Sequence, residues 1–144
     1  MHFSARITES VRDSDGKVTR SLPASSVPEW LAVALSNPAV AKAIRRFAAG
    51  GESWVEPYRI LEVIIEDVGT NNLLVQRGWY TASKIRTFKH TANSVAATGD
   101  EARHGADHKT PPKNPMRISE GKSLVSVLLH SWLQEKANTA ALAI

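Results

Sequence analysis

The stretch SWVEPYRILEVIIEDVG, residues 53–69, reads as one amphipathic helix. Trp54, Tyr58, Leu61, Ile65 and Val68 recur at steps of four and three, so they fall along one side of a 3.6-residue repeat, with Glu62 and Glu66 directed elsewhere. Pro57 fits only because it falls near the first turn, where no intrahelical N–H bond is required. Gly69 supplies a C-terminal stop. Such a stripe must be covered by other elements, and the flanking sequence offers more helices.

Upstream, Pro28 to Leu35 can form a short helix. Asn37-Pro38 places a capping side chain before a proline at the first helical position, opening a second helix through Val40, Ile44 and Phe47 that ends at Gly50-Gly51. Downstream, residues 70–80 read as a connector. Ile85, Phe88, Ala92, Val95, Gly99 and Ala102 then define a helix over 81–105, whose small residues Ala92, Ala96 and Gly99 would let another backbone approach closely. Thr98-Gly99-Asp100 is a point of interruption, with Asp100 capping a further turn that carries Arg103. Pro111, Pro112 and Pro115 forbid a continuous helix across 109–115. A last helix runs from about Ser119 to Ala137 with Leu124, Val125, Leu128, Trp132 and Leu133 inward.

Residues 2–22 differ. Phe3, Ala5 and Ile7 alternate, Asp13-Ser14-Asp15-Gly16 is turn chemistry, and Lys17 to Leu22 follows, a β-hairpin pattern joined by a short linker at Pro23. An isolated hairpin is marginal in water, so packing on its own body is expected. The predicted architecture is all-α: a helical bundle of four to five helices over 25–144, with an N-terminal hairpin appendage over 1–24.

The chain has 144 residues, 42% hydrophobic and 22% charged, enough for one domain with a core and too few for two catalytic domains. The absence of Cys excludes disulfide scaffolds, thiolate nucleophiles and thiolate metal sites. No apolar run is long enough to span a membrane and the first residues lack the order of a signal peptide, so a cytoplasmic protein with no membrane association is expected. The formal net charge of +4 is unevenly spread. Residues 52–76 carry five carboxylates against Arg59 alone, whereas 77–122 carry nine lysines and arginines against four carboxylates. A basic half can attract phosphate, although solvated surface charge gives the same pattern.

Several chemistries lack support. Glu62 and Glu66 lie one turn apart opposite an apolar stripe, the usual place for solvated carboxylates. Gly50-Gly51 has no following Lys-Ser/Thr for a phosphate loop, and no Gly-x-Ser-x-Gly occurs. The unusual cluster is Arg103-His104-Gly105-Ala106-Asp107-His108. Three readings of it compete. His104 and His108 are spaced i, i+4 and could ligate a metal with Asp107, but Gly105 weakens a helix there and no zincin Glu follows the first His. Arg103 could instead pair with a carboxylate in a structural role. Or Arg103 and His108 form a metal-free phosphodiester-cleaving pair: the imidazole moves a proton, the guanidinium stabilises charge growing on phosphate, and RNA brings its own 2′-hydroxyl nucleophile. Five residues advance a helix by about 500°, so the two cannot share a face of a straight helix. Either the segment bends at Gly105, or partners meet across a two-fold axis.

Arg103 to His108 resembles the Arg, four to six residues, His motif of the HEPN superfamily of small helical bundles, many of them RNases of toxin–antitoxin and phage-defence systems. The setting from Trp54 to Gly69, through Phe88 to Asn93, Gly99-Asp100, Pro111-Pro112 and Asn114-Pro115-Met116 to Trp132-Leu133, is similar to a HEPN-type family of unassigned function. The resemblance covers about residues 40–136. It implies a metal-independent endoribonuclease acting as a homodimer, with His108 transferring the proton, Arg103 contacting phosphate and His104 supporting, without cofactor or metal. The basic residues Lys84, Arg86, Lys89, Lys109 and Lys113 are the expected RNA contacts. The helices at 81–105 and 119–137 are the expected dimer faces, and a protein antitoxin or accessory partner would neutralise a toxin. The competing expectation is a non-catalytic interaction protein in which Arg103 and His108 hold the loop at 109–115. Trp79-Tyr80, beside Arg77 and Lys84, suits either base stacking or anchoring of the connector in the bundle.

Overall fold

The computed structural model describes residues 9–12, 18–22, 26–99, 102 and 110–142. Among them are seven helical segments: α1 (Ser26–Ser36), α2 (Pro38–Ala49), α3 (Val55–Val68), α4 (Asn71–Gln76), α5 (Ala82–Ala92), α6 (Val95–Thr98) and α7 (Ile118–Leu142). β1 (Glu9–Arg12) pairs antiparallel with β2 (Val18–Leu22), from Glu9 opposite Leu22 to Arg12 opposite Val18, with a register shift at Val11/Arg12. The expected strand at Phe3 to Ile7 and the turn at 13–16 lie outside the described residues.

The sequence explains the helix boundaries. The Asn37 side chain accepts hydrogen bonds from the N–H groups of Ala39 and Val40 at 3.0 and 3.3 Å, and Pro38 occupies the first helical position as expected. Gly50 and Gly51, at φ +65° and +96°, reverse the chain between α2 and α3. α3 ends at Gly69, whose N–H donates to the Ile65 carbonyl.

Three elements differ from the sequence reading. The connector at 70–80 contains α4, because Thr70 Oγ1 accepts from Leu73 N–H and the helix buries Leu74 in the core. The helix expected over 81–105 breaks after Ala92: Ser94 is buried, its Oγ accepts from Ala97 N–H at 3.3 Å, and its carbonyl accepts the Thr98 hydroxyl, so Ser94 caps a new turn. The last helix continues to Leu142, beyond the expected end at Ala137. Five segments reach eleven residues, and α4 and α6 raise the total above the four or five expected.

The core lies where α3, α5 and α7 meet. Phe88, Leu61, Ile64, Leu128 and Trp132 are fully buried there. Trp54 meets Phe88 edge to face at a centroid distance of 5.5 Å, and Tyr58 stacks on Phe88 at 6.0 Å. Gly121 lets Trp54 reach this position, since a Cβ there would stand 2.6 Å from Trp54 Cζ3. The approach to α7 is pinned to α5 by Met116 N–H, which donates to the buried Thr91 Oγ1 at 3.0 Å. Among the described residues no helix is long and apolar enough to cross a membrane.

Candidate functional site

Arg103, His104, His108 and Lys109 lie outside the described residues. The chain on either side of them is described. Ala102 N–H donates to the Gly99 carbonyl, closing the turn after α6. Beyond the motif, the Thr110 carbonyl accepts from His90 Nε2 at 2.6 Å, which ties that point to the last turn of α5. The same end of α5 is joined to α3 by Asn93 Nδ2, donating to the Tyr58 hydroxyl at 3.3 Å.

Of the remaining basic candidates, Lys84, Arg86 and Lys113 are exposed. On α5, Arg86 and Lys89 are separated by about 60° around the axis, while Lys84 is about 140° or more from both. Lys89 Nζ donates to Asn71 Oδ1 on α4 at 2.9 Å, whereas Lys84 borders a small cavity with Tyr80, Met116 and Glu120. The core-facing Ile85 and Phe88 thus stand between two basic flanks. Trp79 and Tyr80 are half-buried against the core, and the Arg77 guanidinium lies 5.4 Å over the Trp79 ring while Nε donates to Glu135 at 3.0 Å. That matches the anchoring reading of this pair.

A well-formed open space lies elsewhere. A cleft of about 620 Å³ lies between the end of α2, the start of α3 and the first half of α7. Phe47, Pro57, Ile60, Val125 and Val127 supply its apolar surface. Phe47 and Val127 remain 45% and 37% exposed, beside the buried Ile60 and Val125. Arg46 Nη1 donates to Glu56 Oε2 at 2.8 Å, and Arg59 Nη1 reaches Glu56 Oε1 at 3.1 Å. The Arg46 hydrogen bond, helped by the charges of Arg46 and Arg59 and opposed by partial burial, holds the Glu56 carboxyl below its ordinary range. Lys122 Nζ pairs with Glu52 Oε1 at 2.7 Å. The cations that line the cleft therefore already have carboxylate partners.

His130 ends the cleft and also borders a second cavity of about 440 Å³ beside Trp30, Trp79 and Leu142. Its Nδ1 is 2.7 Å from the Ser126 carbonyl oxygen, which can only accept, so Nδ1 carries the proton. Trp30 meets the ring edge-on at a centroid distance of 5.2 Å. Neither His130 nor the cleft was indicated by the sequence; the one available signal is the Ser126, His130 spacing on the side of α7 opposite Leu124 and Leu128.

Among the described residues no group of three or more His, Asp or Glu is placed to hold a metal ion. No protein-family model, curated protein or solved structure matches the chain.

Proposed function

We propose that this chain is a HEPN-type helical bundle that acts on RNA as a metal-independent endoribonuclease. His108 moves the proton of the 2′-hydroxyl, Arg103 stabilises charge on the phosphate and His104 assists. The observation that carries this reading is the Arg103 to His108 spacing in the connection between α6 and α7, two helices of an all-helical body. Lys84, Arg86, Lys89, Lys109 and Lys113 would contact the RNA backbone. A cytoplasmic homodimer supplying two Arg–His pairs to one groove, within a toxin–antitoxin or phage-defence system and restrained by a protein antitoxin, completes the proposal.

The test is cleavage of an end-labelled RNA pool in EDTA. Proton transfer by a positioned side chain is worth about 10²–10⁴-fold, so His108→Ala should lower the cleavage rate by that factor with an unchanged circular dichroism spectrum. Arg103→Ala should also slow it. Absence of cleavage by the unaltered protein overturns the reading. A second reading, a non-catalytic interaction protein, is favoured by one observation: Leu31 and Leu35, one turn apart on α1, are 60% and 83% exposed.

A further inference from the structure

We infer that His90 is a positioning residue for Arg103 and His108, because its side chain holds the chain that follows them on the end of α5. Its catalytic consequence rests on the RNA reading, whereas the hold itself is measurable without RNA. The Thr110 carbonyl can only accept, so the proton of the 2.6 Å contact sits on His90 Nε2. Thr110 is two residues from His108, and two residues of chain span no more than about 7 Å. Whatever fixes the Thr110 carbonyl therefore limits where His108 can stand.

The same end of α5 makes the neighbouring attachments. Thr91, fully buried, accepts the Met116 N–H at 3.0 Å, so the stretch from Thr110 to Met116 is fastened at both ends. That stretch thus has two anchors that call on neither Arg103 nor His108. Upstream of the motif, Ser94 closes onto Ala97 and Thr98, and Gly99 onto Ala102, the residue before Arg103. The chain leaves the end of α5 through two tight turns and is returned to it by His90. Thr91 and Ser94 are buried and serve the core as well, whereas His90 is exposed. An imidazole in water that donates to a loop carbonyl adds little to the fold and fixes where that carbonyl sits.

The test compares the unaltered chain with His90→Ala and His90→Gln, because the Gln amide keeps an N–H donor and carries no titrating proton. In RNA cleavage with EDTA, His90→Ala should lower kcat about twofold to tenfold, the span of one net hydrogen bond, at unchanged KM. His90→Gln should recover most of that loss with the pH profile of the unaltered chain. Trypsin cleavage after Arg103 and Lys109, measured against cleavage after the exposed Arg45, should quicken by a similar factor in His90→Ala and slow again in His90→Gln. Unchanged trypsin rates in His90→Ala overturn the hold, whatever the RNA result. Faster proteolysis with unchanged kcat overturns the positioning role. So does His90→Gln restoring the trypsin rate but not kcat, which would make His90 a proton-transfer residue instead. If the unaltered protein cleaves no RNA, the RNA reading fails and the positioning role with it, while the trypsin rates still decide whether His90 holds the chain at Thr110.

Discussion

The two sides of the first half of α7 differ in composition and are packed to opposite ends. On one side Gly121, Leu124 and Leu128 meet Trp54, Phe88 and the rest of the core, so closely that Gly121 has no space for a methyl group. On the other side Val127 and His130 border open space, although Phe47, an aromatic residue like Trp54, stands across from them. The filled side is the apolar one, and the open side carries Lys122, Ser123, Ser126 and His130 beside Val127. The partner differs as well: Trp54 immediately precedes α3, which lies against α7, whereas α2 ends at Gly50-Gly51.

Substitutions can break this contrast, beginning with the deepest. Trp132 is fully buried and its Nε1–H donates to Asp67 Oδ2 at 2.8 Å, so Trp132→Ala should cost about 3–5 kcal/mol in urea unfolding. Gly121→Ala must displace the rigid Trp54 ring, and overpacking of that kind should cost about 1–3 kcal/mol, seen as a lower unfolding midpoint at unchanged slope. On the open side Val127→Ala should change stability by no more than about 0.5 kcal/mol, because that side chain has little packing to lose. A loss as large as that of Gly121→Ala would mean that the cleft is closed in solution.

Acid sharpens the comparison at the far end of the core. Partial burial raises the Asp67 pKa, but hydrogen bonds from Lys136 and Trp132 and the charges of Lys136 and Arg77 outweigh it, leaving a net lowering. A carboxyl with a lowered folded-state pKa stabilises the fold above the ordinary carboxylate range, and that contribution disappears as the pH falls through the lowered value. Asp67→Asn should therefore lose less thermal stability than the unaltered chain between about pH 6 and about pH 3. Glu56 titrates in the same direction in both proteins and cancels in the difference.

Much of the fold was legible in these same residues. The Trp54, Tyr58, Leu61 spacing, the Asn37-Pro38 cap and the Leu124 to Leu133 stripe each carry a periodicity or a capping side chain that one helix alone can satisfy. α4 and the break at Ser94 were missed because Thr70 and Ser94 are ordinary polar residues until their backbone partners are placed. The cleft was not legible for a different reason: Phe47, Ile60 and Val127 come from three elements, and periodicity within one helix says nothing about a gap between several. For the Arg103 to His108 motif, spacing remains the whole of the information. Its flanks add one fact that spacing did not contain, the hold of His90 on the Thr110 carbonyl.

The close fit of Gly121 under Trp54 also bears on how the chain is made. α7 is the last of the described helices, so during synthesis Trp54 and Phe88 emerge well before the surface that covers them. At roughly 5–20 residues per second, the stretch from Gly121 to Ala137 takes on the order of one to a few seconds to follow. For that interval the ribosome carries a chain whose Trp54 and Phe88 rings have no lid, a window in which a chaperone or a neighbouring nascent chain can bind them.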